Sequence, residues 1–153
     1  MVAYEQVENA EILPDDAAAL LKYWRQCEVA GTGPTRAEFG PLELRRWLGK
    51  IDIYEVDGEG AEFRLRLSGT ETVAMTGEDW TGKTARDVDR AYGHGFHDDL
   101  LIVYRSRRPA LHRIKVFQKD FMTVYRLLLP IFAGPEDRRV RQIFLAMFVA
   151  DRV

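Results

Sequence analysis

Apolar positions along this chain recur first at helical spacing and later at strand spacing. Leu20, Leu21, Trp24 and Cys27 step by three and four residues while Lys22, Arg25 and Gln26 point elsewhere, which predicts an amphipathic helix from Pro14 to about Val29. Pro14 suits a first helical turn, where its missing N–H costs little, and Asp15 and Asp16 stand at the positive end of the helix dipole. Gly31-Thr32-Gly33-Pro34 breaks the helix, and Pro41 to Leu48 is predicted as a second, short one.

The period then shortens to two. Ile51, Ile53 and Val56 mark a strand, Gly58 and Gly60 a turn, and Phe63, Leu65 and Leu67 alternate with Arg64 and Arg66 in a return strand. Short helical turns interrupted by Gly77 and Gly82 follow, and Phe96, Leu100, Val103 and Tyr104 define a helix that ends before Pro109. Three strands are predicted at about 110–118, 121–132 and 140–150, separated by Lys119-Asp120 and by Gly134-Pro135-Glu136-Asp137. The succession describes an α+β domain with short helices against a five-stranded antiparallel sheet.

The last strand is apolar on both faces: Phe144, Ala146 and Phe148 on one, Ile143, Leu145 and Met147 on the other. A half-solvated strand would alternate, so each face needs a cover. The amphipathic helix is the available cover, in cis or across a homodimer. The predicted interface joins Leu20, Leu21 and Trp24 to Ile143, Leu145 and Met147.

Length and composition narrow the class. The 153 residues, 46% hydrophobic and 30% charged, suit one folded domain, read as a helical extension over 1–48 and a core over 49–153. The lone Cys27 forms no intrachain disulfide, no secretory pattern opens the chain, and no apolar run approaches the roughly 20 residues that span a bilayer. The expectation is a cytoplasmic protein without a membrane role. A net charge of -2 provides no global attraction to nucleic acid.

Several short motifs occur in a recognisable order: Tyr23-Trp24, Pro34-x-Arg36 with Pro41 after it, Phe63-Arg64-x-Arg66-Leu67-x-Gly69-Thr70, and Thr81-Gly82-Lys83. With them the chain resembles bacterial single-domain PAS-like proteins that carry an amino-terminal helical extension. Thr32-Gly33 departs from the pattern, standing where a basic residue is frequent. The resemblance implies a PAS fold around a small cavity and a part in sensing and protein association.

Candidate chemistry is sparse. His97 aligns with Leu101 and Tyr104 on one helix, and His112 shares strand parity with Ile114 and Val116, so these six form the candidate ligand set, apolar with a few orienting polar groups. His94 and His97 with Asp98 and Asp99 superficially suggest a metal, but Gly93 and Gly95 and the lack of further ligands leave no metal site predicted. Haem on His97 lacks a sequence signature, and a flavin photoreceptor needs an asparagine-cysteine-arginine motif that Cys27 does not supply, so neither cofactor is predicted. Arg105, Arg107, Arg108 and Arg113, and again Arg138, Arg139 and Arg141, read as solvated charges beside turns.

No catalytic motif is present. The sequence reading is therefore a stand-alone PAS-like sensory or interaction module in bacterial signalling, dimeric, with a possible small apolar ligand and a signalling partner in trans. The alternatives are a ligand-free structural adapter, and a small α+β barrel enzyme pairing His97 with Asp98 or Asp99.

Overall fold

The computed structural model describes residues 2–6, 13–29, 32–93, 95–116 and 122–150. Strand β1 (Val2–Gln6) precedes helix α1 (Asp15–Gln26), and a run of turns leads to β2 (Ile51–Asp57) and β3 (Glu62–Leu67). Helices α2 (Thr70–Thr76), α3 (Ala85–Tyr92) and α4 (Phe96–Ser106) follow, and then β4 (Ala110–Val116), β5 (Met122–Gly134) and β6 (Asp137–Val149). Every neighbouring pair of strands is antiparallel, in the order β1-β4-β5-β6-β2-β3. The five expected strands are β2 to β6. A sixth, β1, joins the edge along β4 from Val2↔Val116 to Gln6↔His112.

The β2–β3 hairpin turns as its glycines predict. Gly60 adopts a φ of +93°, and a Cβ there would meet the Tyr104 ring at 3.0 Å, so both conformation and space demand glycine. The predicted Pro41–Leu48 helix does not form. Single bonds such as Leu44 N–H to the Gly40 carbonyl close separate turns, and only Leu48–Lys50 makes a short 3₁₀ turn. Phe39, Leu44 and Trp47 are buried along this segment, so docking of these side chains onto the core shapes it in place of a continuous ladder.

Register assigns the two sheet faces. Tyr54 pairs with Ile143 and meets the Phe96 ring of α4 edge-on at 5.3 Å, so Ile143, Leu145 and Met147 lie on the α4 side. Phe144 meets Phe39 at 5.8 Å, and Phe39 stacks on Tyr23 of α1 at 5.1 Å, so Phe144 and its alternates Ala146 and Phe148 lie on the α1 side. Helix α1 thus covers its own sheet, but on the opposite face from the predicted Ile143–Leu145–Met147 row. Leu20, Leu21, Trp24, Ile143 and Leu145 are at most 5% exposed within one chain, which corrects their assignment to a dimer interface; Met147 is half-buried.

Trp24 anchors α1. Its indole Nε1 donates to the Pro130 carbonyl at 2.8 Å, and a Cβ on Gly33 would stand 2.8 Å from its ring and 2.7 Å from Phe132. Trp24→Phe keeps most of the packing but strands a buried carbonyl, at a cost of about 1–3 kcal/mol. Urea unfolding should show that loss with an unchanged slope; equal midpoints for the two proteins would refute the anchoring role.

Candidate functional site

Helix α4 is positioned from the preceding helix. Thr84 and Asp87 form a reciprocal capping box that starts α3, and α3 carries Asp89, whose carboxylate accepts from the Phe96 N–H at 2.8 Å and the His97 N–H at 3.0 Å. This holds the first turn of α4 over the sheet, where Leu100 and Val103 are fully buried.

Beneath α4 lies a buried ionic cluster. Arg126 of β5 donates through Nη2 to Asp99 Oδ2 at 2.7 Å and to His112 Nδ1 at 2.9 Å, and its guanidinium sits 5.3 Å from the centre of the Phe96 ring. Arg126, Asp99 and His112 are 7%, 6% and 5% exposed. Since Nδ1 of His112 accepts from a guanidinium, the neutral ring carries its proton on Nε2. Burial first, and then the Arg126 charge, push the His112 pKa down to about 4. Burying charges is expensive unless they pair, and here the pairing joins α4, β4 and β5.

His97 occupies a second environment on the other flank of α4. Its ring lies 5.1 Å from Phe63, and Arg86 Nη2 is 3.2 Å from its Nε2. With Nε2 accepting from a guanidinium, the ring proton resides on Nδ1. That atom is buried without a hydrogen-bond partner among the described residues, and the side chain is 5% exposed. Burial, then Arg86, lower the His97 pKa.

The candidate ligand set is therefore divided. His97, Leu101 and Tyr104 gather against Phe63 and Gly60 of the hairpin. His112 belongs to the ionic cluster, and Ile114 follows it on the same face of β4, opposite Val124. The side chain of Val116, like His94 as a whole, lies outside the described residues. Neither Asp98 nor Asp99 forms a described hydrogen bond with His97. Asp99 pairs with Arg126, and the partner at His97 Nε2 is Arg86. No group of three or more metal-binding side chains occurs among the described residues.

Two further features stand at the α2 end of this face. Asp52 accepts from Ser68 Oγ at 3.0 Å and from the Gly69 N–H at 2.9 Å, and burial raises its pKa to about 6. Beyond it a half-open cleft of about 380 Å³ runs between the starts of α1 and α2 and the end of β6, lined by Met75, Thr72, Met147 and Phe148 and crossed by the Lys50–Glu71 ion pair. None of the candidate ligand residues lines it. Arg64 and Arg66 of β3 pair with Asp57 and Glu55.

The model of a family described as PAS domain matches residues 14–141. The chain belongs to the PAS domain family. Among solved structures it is similar to an RNA-binding light-oxygen-voltage receptor, with a TM-score of 0.50 and 13% identity, over 97% of this chain and 38% of that one. At that identity the likeness concerns the fold alone. No curated protein matches it. This PAS domain is thereby a sensory or interaction module of a generally non-enzymatic kind. None of its described helices is long and apolar enough to cross a membrane. Cys27 caps the C-terminus of α1, on the sheet face away from α4, so it has no part in the α4 site.

Arg126 and Asp52 escaped the sequence reading, and Asp99 entered it only as a companion of His97, not of Arg126. The signal for Arg126 is its parity: it shares a face with Val124 and Leu128 inside an apolar strand, where a cation must find a buried partner.

His112 and Asp52 act on stability with opposite signs. A lowered histidine pKa gives stability that is present above about 6.5 and lost as pH falls toward 4. A raised carboxyl pKa gives stability that is present below about 3.8 and lost as pH rises through 6. Each shift corresponds to about 3 kcal/mol, so the two offset one another between pH 4 and 6. Asp52→Asn preserves the acceptor to Ser68 and Gly69 and removes one side of the balance. The difference in unfolding free energy, variant minus wild type, should rise by up to about 3 kcal/mol between pH 4 and 6; parallel pH curves would contradict it.

Proposed function

We propose that this PAS domain is a sensory module of bacterial cytoplasmic signalling that takes a small, largely apolar ligand beside α4. The carrying observation is the His97 Nδ1–H, buried and without an acceptor among the described residues, next to the apolar surfaces of Phe63, Leu101 and Tyr104. An uncompensated buried donor is costly in a closed core. A ligand with a carbonyl or carboxylate oxygen on an apolar body would satisfy it, while Arg86 holds the tautomer that donates.

In the same reading the module transmits its state by association, as a homodimer or with a signalling protein in trans. Because α1 is spent on its own sheet, the associating surface lies elsewhere; Leu42 and Ile102, 71% and 62% exposed, are apolar positions open to it.

Native mass spectrometry of the protein purified from its source cells reads ligand and assembly together. A retained small molecule is expected in the wild type and absent from His97→Phe, which keeps ring volume without the donor, with dimer mass in both. Two results count against the reading. A ligand-free spectrum with no thermal shift across a panel of small apolar acids and ketones leaves a structural adapter, and a monomer mass at high concentration removes the homodimer.

A further inference from the structure

The two arginine-rich stretches that sequence separates by some thirty residues are one surface in the fold. Arg107 donates from Nε to the Arg138 carbonyl at 2.8 Å, so the end of α4 abuts the β5–β6 turn. Arg107 holds a φ of 58° at the helix C-cap, a position that ordinarily takes glycine, and closes the helix with its N–H on the Val103 carbonyl. Arg105 lies in the last turn of α4, and Arg139 and Arg141 follow Arg138 on β6.

All five arginines are exposed. Arg139 pairs with Asp137, whereas Arg105, Arg107, Arg138 and Arg141 have no ion pair among the described residues. The acids of the turn are Glu136 and Asp137, so the surface is strongly positive on a chain whose net charge is -2. Arg108 is not part of it, being turned to Glu28 and the Trp24 ring. The cations are all arginine, whose planar fork binds carboxylates in pairs of hydrogen bonds. Ile102, three residues before Arg105 on α4, adds an aliphatic side chain at 62% exposure.

We infer that this surface docks an acidic segment of a partner protein, one that presents carboxylates to Arg105, Arg107, Arg138 and Arg141 and an aliphatic side chain to Ile102. The mixture decides between classes of polyanion. Nucleic-acid surfaces add aromatic platforms on which bases stack, and none of the large exposed hydrophobics of the described chain is aromatic. An aliphatic centre with a guanidinium rim suits a peptide carrying both acids and leucines. Neither His97 nor the ionic cluster is involved, so the inference stands apart from the ligand reading.

The test is fluorescence anisotropy with a labelled synthetic peptide of about a dozen residues alternating glutamate and leucine. A peptide with lysine in place of glutamate and an oligouridine of matched charge serve as comparisons. Saturable binding to the glutamate peptide alone is expected, weakening as salt rises. Arg105→Glu/Arg141→Glu should lower affinity by about tenfold or more through charge repulsion. Ile102→Ser should lower it less, without changing the salt dependence. Both variants alter only exposed side chains, and circular dichroism verifies that they fold. Equal affinity in the charge-reversed variant, tighter binding of the oligouridine, or no saturable binding to the glutamate peptide would each overturn the inference.

Discussion

Burial of β6 on both faces is the constraint to which the remaining elements answer. A strand with Phe144 and Phe148 on one side and Ile143 and Leu145 on the other cannot leave either side in water, and it sits near the middle of the sheet between β5 and β2. The domain meets the demand with two unlike covers. On one face α1 and the Phe39–Trp47 segment form an apolar lid fastened by aromatic contacts. On the other, α4 is fastened by charge, through Asp99 to Arg126 and His112. Apolar contacts tolerate small slippage; a buried ion pair has one good geometry and a steep loss away from it. The face that carries the candidate ligand site is thus the one whose helix has a discrete docked position.

How much of this was legible in the sequence depended on whether the information was periodic. Helix α1, the β2–β3 hairpin, α4 and the last three strands all follow from spacing, because side chains on one face must share one neighbour. The need for cover over β6 followed from the same logic. Which face α1 would take did not: both rows of β6 are equally apolar, and the choice rests on where Phe39 and Tyr54 land from other parts of the chain. Strand β1 was missed because its pairing depends on a partner more than a hundred residues away.

The site was legible only in pieces. His97, Leu101 and Tyr104 share a helical stripe, and the structure gathers them; His112 shares strand parity with apolar neighbours, and it is buried as that parity implies. That the two histidines belong to different environments, one facing Arg86 and the other Arg126, is a matter of tertiary register that no local pattern encodes. The same holds for the arginines beside the turns. Each stretch alone is an ordinary solvated run, and only the contact between Arg107 and the Arg138 backbone makes them contiguous.

Pro130 has a consequence for how the sheet keeps to itself. β4 pairs with β5 only as far as Leu128, so beyond it β5 has an open side, and proline offers no N–H there. The Pro130 carbonyl is taken by Trp24, and the next outward group, the Phe132 N–H, donates to the Pro34 carbonyl at 2.9 Å. Helix α1 and the loop after it therefore act as a gatekeeper of an unpaired strand edge. A chain that lost them would present a sticky apolar border, a template for aggregation by strand addition.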